Sequence, residues 1–144
     1  MHRKLHLIVG FLTCLVFLAT GAYMRSGFPD LHAGNESIRF LYRANHVYIL
    51  FSGLLNLCLG LYLTESSTKW RNKLQTFGSR ILFLAPILFI LAFFVEPPMA
   101  SPTRPLTLVA AFLSVGGVLC HVIGGLRTAS VISNRTVSSS EFKV

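Results

Sequence analysis

The chain has 144 residues, of which 53% are hydrophobic and only 12% charged, and its formal net charge is +8. A soluble domain carries about 25% charged residues, so the composition points away from a water-soluble fold. The basic residues flank apolar stretches instead of gathering on one face with interleaved aromatics, which argues against nucleic acid as a partner.

Four uncharged apolar stretches follow one another: Leu5 to Met24, Ala44 to Thr64, Ile81 to Val95 (80–96 with its flanking charges) and Pro105 to Leu126. Each approaches the ~20 residues that an α-helix needs to cross a bilayer core of ~30 Å. The first begins after Arg3 and Lys4. Its apolar run exceeds the 7 to 15 residues of a secretory signal, so it is read as a retained span. It is expected to stop at Met24-Arg25, with Ser26-Gly27-Phe28-Pro29-Asp30 as a turn.

The second span is followed by Glu65 to Ser79, which carries the only tryptophan, Trp70, and reads as an interfacial linker. The third span is short, about 22 Å at 1.5 Å per residue. Pro86 within it is tolerable if a neighbouring helix satisfies the carbonyl it frees. This span shows almost no small or weakly polar residues and is expected to face lipid over more of its circumference than the others. Pro97-Pro98 ends it, and Pro105 stands where the first turn of a fourth helix lacks a use for its N–H. Residues 128–144, rich in Ser, Thr and Val, are expected to form a disordered tail. Cys14, Cys58 and Cys120 lie inside three different spans without any CxxC or zinc spacing, and suit soft apolar packing.

The expected fold is therefore an all-α integral membrane protein, a four-helix antiparallel bundle. Nine basic residues fall on one side (Arg3, Lys4, Lys69, Arg71, Lys73, Arg80, Arg127, Arg135, Lys143) and four on the other (Arg25, Arg39, Arg43, Arg104). By the positive-inside rule both termini are cytoplasmic, in a bacterial-type inner membrane.

Membrane helices pack through small and weakly polar residues. On that basis the first span turns His6, Gly10, Thr13, Phe17, Thr20, Gly21 and Met24 inward, the second Asn45, Tyr48, Ser52 and Asn56, and the fourth Thr107, Ser114, Gly117, His121, Gly124, Gly125 and Thr128. An ionisable residue at membrane depth is a functional candidate by default. His6 and His121 lie toward the inner side, where they could ligate a b-type haem; His46 lies toward the outer side, too far in depth to share an iron with His121. The alternative is that His121 hydrogen-bonds a neighbouring helix and His6 anchors at the headgroups.

The outer layer is the richer constellation. Arg43, Asn45, His46, Glu96 and Arg104 could together bind an anionic headgroup, a quinone or a small metabolite, or form an ion-pair layer in which Glu96 pairs with Arg43 or Arg104. Asn56, with Ser52 and Ser114, is an interior polar group that calls for an interhelical partner, or for a transport path if several chains assemble. No catalytic motif is present. The sequence thus predicts a small polytopic protein that acts as an accessory or assembly subunit, or as a membrane-embedded binding module. Its expected partners are the lipid bilayer and either another membrane protein or further copies of itself.

Overall fold

Four helices long and apolar enough to cross a membrane make up nearly all of the described chain: α1 (His2–Leu31), α2 (Glu36–Tyr62), α3 (Lys69–Val95) and α4 (Pro105–Ser140). Among the described residues a 3₁₀ turn, Pro97–Met99, follows α3. The computed structural model describes residues 2–31, 35–62, 68–99 and 103–140, with side chains over 3–27, 35–62, 68–99 and 103–125.

The helices are longer than the apolar runs that announce them. α1 continues through the expected turn at 26–30, and the Ser26 hydroxyl donates back to the carbonyls of Ala22 (3.1 Å) and Tyr23 (3.2 Å). The start of α2 is set by Asn35, whose side-chain oxygen accepts the Ile38 N–H at 3.2 Å as an N-cap. The expected linker is helical from Lys69, so α3 has 27 residues and spans about 40 Å. α4 runs on as helix through Ser140, where a disordered tail is expected from composition; residues 141–144 lie outside the described chain.

Helix pairing follows glycine. A methyl group built on Gly10 of α1 would lie 2.8 Å from the Leu57 backbone nitrogen and 2.9 Å from the Gly53 carbonyl oxygen of α2. Further along the same seam Leu7 meets Gly60 and Gly21 meets His46, so contacts step down α2 as they step up α1. α3 and α4 repeat this arrangement. Gly78 and Gly117 face one another so closely that a methyl on either would come within 2.9 or 3.1 Å of the other's carbonyl oxygen, and Gln75 packs on Gly124.

The third span is not more outward-facing than the others: 44% of its apolar stretch is buried, against 22%, 33% and 28% for the first, second and fourth spans. The reason lies in a stripe that begins inside the supposed linker. Arg71, Gln75, Gly78, Ser79, Leu82, Ala85, Pro86, Phe89, Ala92 and Phe93 recur at helical spacing and are all buried. Phe89 stacks on Tyr48 of α2 (ring centroids 5.5 Å), and Phe93 meets Tyr42 of α2 and Tyr23 of α1 edge-on. Tyr42, Ile49, Ala85, Phe89, Phe93 and Ala110 form the apolar core.

Pro86 and Asn56 explain each other. Proline has no N–H to offer the carbonyl four residues earlier, which is that of Leu82. The Asn56 amide nitrogen donates to this oxygen at 3.3 Å. In a Pro86→Ala background the new N–H should take over the Leu82 carbonyl. A double-mutant cycle of Asn56→Ala with Pro86→Ala in detergent unfolding is therefore expected to show a coupling of about 0.5–1.5 kcal/mol; additive effects would separate the two residues.

Candidate functional site

Two buried polar layers lie at opposite ends of the apolar core. Each forms because short polar side chains at helix-packing positions find partners on another helix instead of water.

The layer at the end that the basic residues mark as the outer one is built on Glu96, the residue between α3 and the 3₁₀ turn Pro97–Met99. Glu96 is 4% exposed. Its Oε1 accepts the Thr107 backbone N–H at 3.0 Å, so a carboxylate caps the first turn of α4, where negative charge is favoured. Its Oε2 accepts the Thr107 hydroxyl and lies 3.6 Å from Arg104 Nε. Asn45 of α2 completes the layer: its nitrogen donates to the Ala92 carbonyl at 2.9 Å, which aims its oxygen at Arg104 Nη2 and the Thr107 hydroxyl (3.1 Å).

Of the five residues expected in this layer, the structure brings together Asn45, Glu96 and Arg104. Arg43 is exposed and His46 is half-buried against α1, where its Nδ1 meets the Thr20 hydroxyl at 2.9 Å and its ring stacks on Phe17 at 4.0 Å. At about 100° per residue, a helix that points Asn45 at α3 must turn His46 to one side and Arg43 to the far face. The partner of Glu96 is thus Arg104, not Arg43. Thr107 belongs to the same layer. Its inward position was readable from the sequence, its bond to Glu96 was not.

Beside this layer a cavity of about 480 Å³ opens between α2 and α4, which scarcely touch one another and pack instead on α3. Thr103, Arg104 and Thr107 supply its polar lining, and Tyr48, Pro105, Leu108 and Ala111 its apolar lining. The Arg104 guanidinium sits 5.7 Å from the Tyr48 ring centre, within cation–π range.

The inner layer joins all four helices. His6 of α1, fully buried, places Nδ1 2.8 Å from Asn56 Oδ1 and Nε2 3.0 Å from the Ser79 hydroxyl. Ser79 in turn lies 3.2 Å from His121 Nε2. His6 is accordingly an interior residue and not a headgroup anchor, because α1 begins a turn earlier, at His2, and Arg3 Nε reaches the Gly60 carbonyl at 2.8 Å. Ser79 was hidden by its place in the supposed linker; extending the α3 periodicity back to Arg71 would have found it.

These contacts leave no slot for a haem. Both imidazole Nε2 atoms are aimed at one hydroxyl, the two rings stand 5.7 Å apart at 77°, Phe83 covers His6 at 4.4 Å, and Gly78 packs directly on Cys120. Among the described residues no three His, Cys, Asp or Glu side chains converge on a metal-sized site. Ser52 and Ser114 turn their hydroxyls onto carbonyls of their own helices, Ile49 at 2.9 Å and Ala110 at 2.8 Å. The polar atoms of Asn56 are taken up by His6 and by the carbonyls of Ser52 and Leu82. Comparison with protein-family models, with curated proteins and with solved structures finds no match to this chain.

Proposed function

We propose that this chain is a multi-pass protein of a bacterial-type inner membrane, an antiparallel bundle with both termini cytoplasmic, that serves as a membrane-embedded binding module for an anionic lipid. The distribution of basic residues supports the orientation, and the stepped contacts of α1 with α2 and of α3 with α4 support the antiparallel arrangement.

The observation that carries the functional reading is the cavity between α2 and α4. Its lining combines the Arg104 cation with a larger apolar surface, the two parts that a headgroup and an acyl chain require. Arg104 keeps 21% of its side chain open whereas Glu96 behind it is 4% exposed, so a molecule in the cavity meets the cation and not the carboxylate. Glu96 and Asn45 hold the guanidinium in place before any ligand arrives, which lowers the ordering cost of binding.

A ligand that binds only the folded state raises its melting temperature by mass action. In neutral detergent, phosphatidylglycerol is expected to raise the melting temperature more than phosphatidylcholine of the same chain length, and Arg104→Gln is expected to abolish the difference. Equal shifts from the two lipids in the unmodified protein, or a difference that survives Arg104→Gln, would contradict the reading.

A further inference from the structure

We infer that the first turn of α3, together with the buried guanidinium of Arg71, binds a phosphate monoester, either a small one from solution or the terminal phosphate of a lipid. The inference is independent of the lipid site at Arg104, which lies at the other end of the bundle.

Arg71 is the residue that points to a ligand. Arginine keeps its charge inside a protein, and buried charges are normally paired. Arg71 is 8% exposed, yet its Nη2 is buried and has no hydrogen-bond partner among the described residues. The two carboxylates among the described side chains, Glu36 and Glu96, belong to the outer end, where Arg39 lies 3.1 Å from the first and Arg104 3.6 Å from the second. The counter-charge of Arg71 therefore comes from outside these residues.

The start of α3 supplies further donors. The Asn72 N–H donates to the Thr68 carbonyl at 3.0 Å, so the N–H groups of Lys69, Trp70 and Arg71 precede the first bond of the helix and have no acceptor within it. The Thr68 side chain makes no cap hydrogen bond, and the first turn holds no acidic residue. This is the positive end of the helix dipole, where an anion is favoured, yet Lys69, Arg71 and Lys73 are all placed there. Long helical side chains lean back toward the N-terminus, which carries the Arg71 guanidinium toward the same amides. Arg71 also opens the buried stripe that continues through Gln75, Gly78 and Ser79, whereas Lys69 and Lys73 are exposed. Trp70 beside it is 64% exposed, and an interfacial indole sits at headgroup level, within reach of solution and of lipid phosphates.

The number of oxygens selects the class of ligand. A guanidinium takes two oxygens of an oxyanion side by side, and the amides of the turn call for a third. A phosphate monoester offers three terminal oxygens and about two negative charges near neutral pH. A diester offers two such oxygens and one charge, which satisfies the guanidinium and leaves the amides unmet. Phosphatidylglycerol, a diester, is accordingly a ligand for the Arg104 site and not for this one.

Thermal unfolding in neutral detergent at constant ionic strength tests this, with methyl phosphate compared against dimethyl phosphate. The monoester is expected to raise the melting temperature along a saturable curve, as a ligand of the folded state does, and the diester is expected to leave it unchanged. The rise should be lost in Arg71→Gln and kept in Arg104→Gln and in Lys73→Gln, which removes an exposed cation of the same helix. Phosphatidate in the Arg104→Gln background identifies the source: a response at lower concentration than that of methyl phosphate assigns the site to a lipid, the reverse order to a soluble ester. Without ligand, Arg71→Gln should be at least as stable as the unmodified protein, because it removes a buried charge. Equal responses to the two esters, no response to either, or a response that survives Arg71→Gln would overturn the inference. So would a loss of stability in Arg71→Gln that Glu65→Gln reproduces, since the chain would then supply its own counter-charge. Should Arg71→Gln fail to fold, Arg71→Lys decides, because it keeps the charge without the planar fork and should need a several-fold higher concentration of methyl phosphate for the same rise; an unchanged concentration would contradict the site.

Discussion

Replacing Glu96 with alanine is expected to destabilise the folded protein by about 3 kcal/mol, the lower end of the ~3–5 kcal/mol that follows removal of one partner from a buried ion pair. Three groups lose their acceptor at once: the Thr107 backbone N–H, the Thr107 hydroxyl and the Arg104 guanidinium. Asn45 can take over part of the load, and Arg104 keeps about a fifth of its side chain open to its surroundings, which moderates the loss. Glu96→Gln should cost less, because an amide oxygen can still cap α4 while the counter-charge is gone. Arg43→Ala, at an exposed position outside this layer, should stay within about 0.5 kcal/mol. Unfolding in mixed micelles with a fluorescence readout measures all three, and a Glu96→Ala variant as stable as Arg43→Ala would show that the outer layer holds nothing together.

The second large effect is expected at Gly117. A methyl group there would collide with Leu82 Cγ and sit 3.1 Å from the Gly78 carbonyl oxygen, and the backbone cannot retreat without parting α3 from α4. Overpacking of this kind costs about 1–3 kcal/mol for an added methylene or two, and a leucine adds more than that. Gly117→Leu should therefore abolish the folded form in detergent or lower its stability by at least about 3 kcal/mol. Leu119→Phe changes an exposed side chain and should be near neutral by the same measurement. Gly116, with open space around its Cβ position, provides the control for glycine itself. Comparable losses at 116, 117 and 119 would mean that the small-residue seam does not set the α3–α4 contact.

What was legible in the sequence was whatever hydropathy and helical period encode. Four helices, the inward positions of Gly10, Asn56, Gly117 and His121, and the rescue of the carbonyl freed by Pro86 all follow from those two signals. The ends of the helices did not follow, because hydropathy marks the apolar length of a span and not its helical length: α1, α2 and α3 each continue past it on polar residues that still satisfy their backbone internally. That error had consequences. Reading residues 65–79 as a linker hid Ser79, cut the inward stripe of α3 in half, and made its most buried helix look like its most lipid-exposed one.

The candidate site shows a second limit. Asn45, Glu96 and Arg104 were all singled out by residue type, but which of them meet depends on the rotation of α2. Facing Asn45 toward α3 carries Arg43 out and His46 onto Thr20 and Phe17, and one chain without its partners' register does not specify that angle.

Native mass spectrometry of the protein ejected from bilayers of mixed phosphatidylglycerol and phosphatidylcholine tests the binding reading most directly, with Ala111→Trp as the decisive variant. Ala111 lines the apolar wall of the cavity and takes no part in the Glu96–Arg104 layer, so an indole there fills the space while leaving the guanidinium in place. The account predicts one retained phosphatidylglycerol on the unmodified protein and its loss in both Ala111→Trp and Arg104→Gln. Retention of phosphatidylglycerol by the two variants at the level of the unmodified protein, or no preference between the two lipids at the outset, would contradict it.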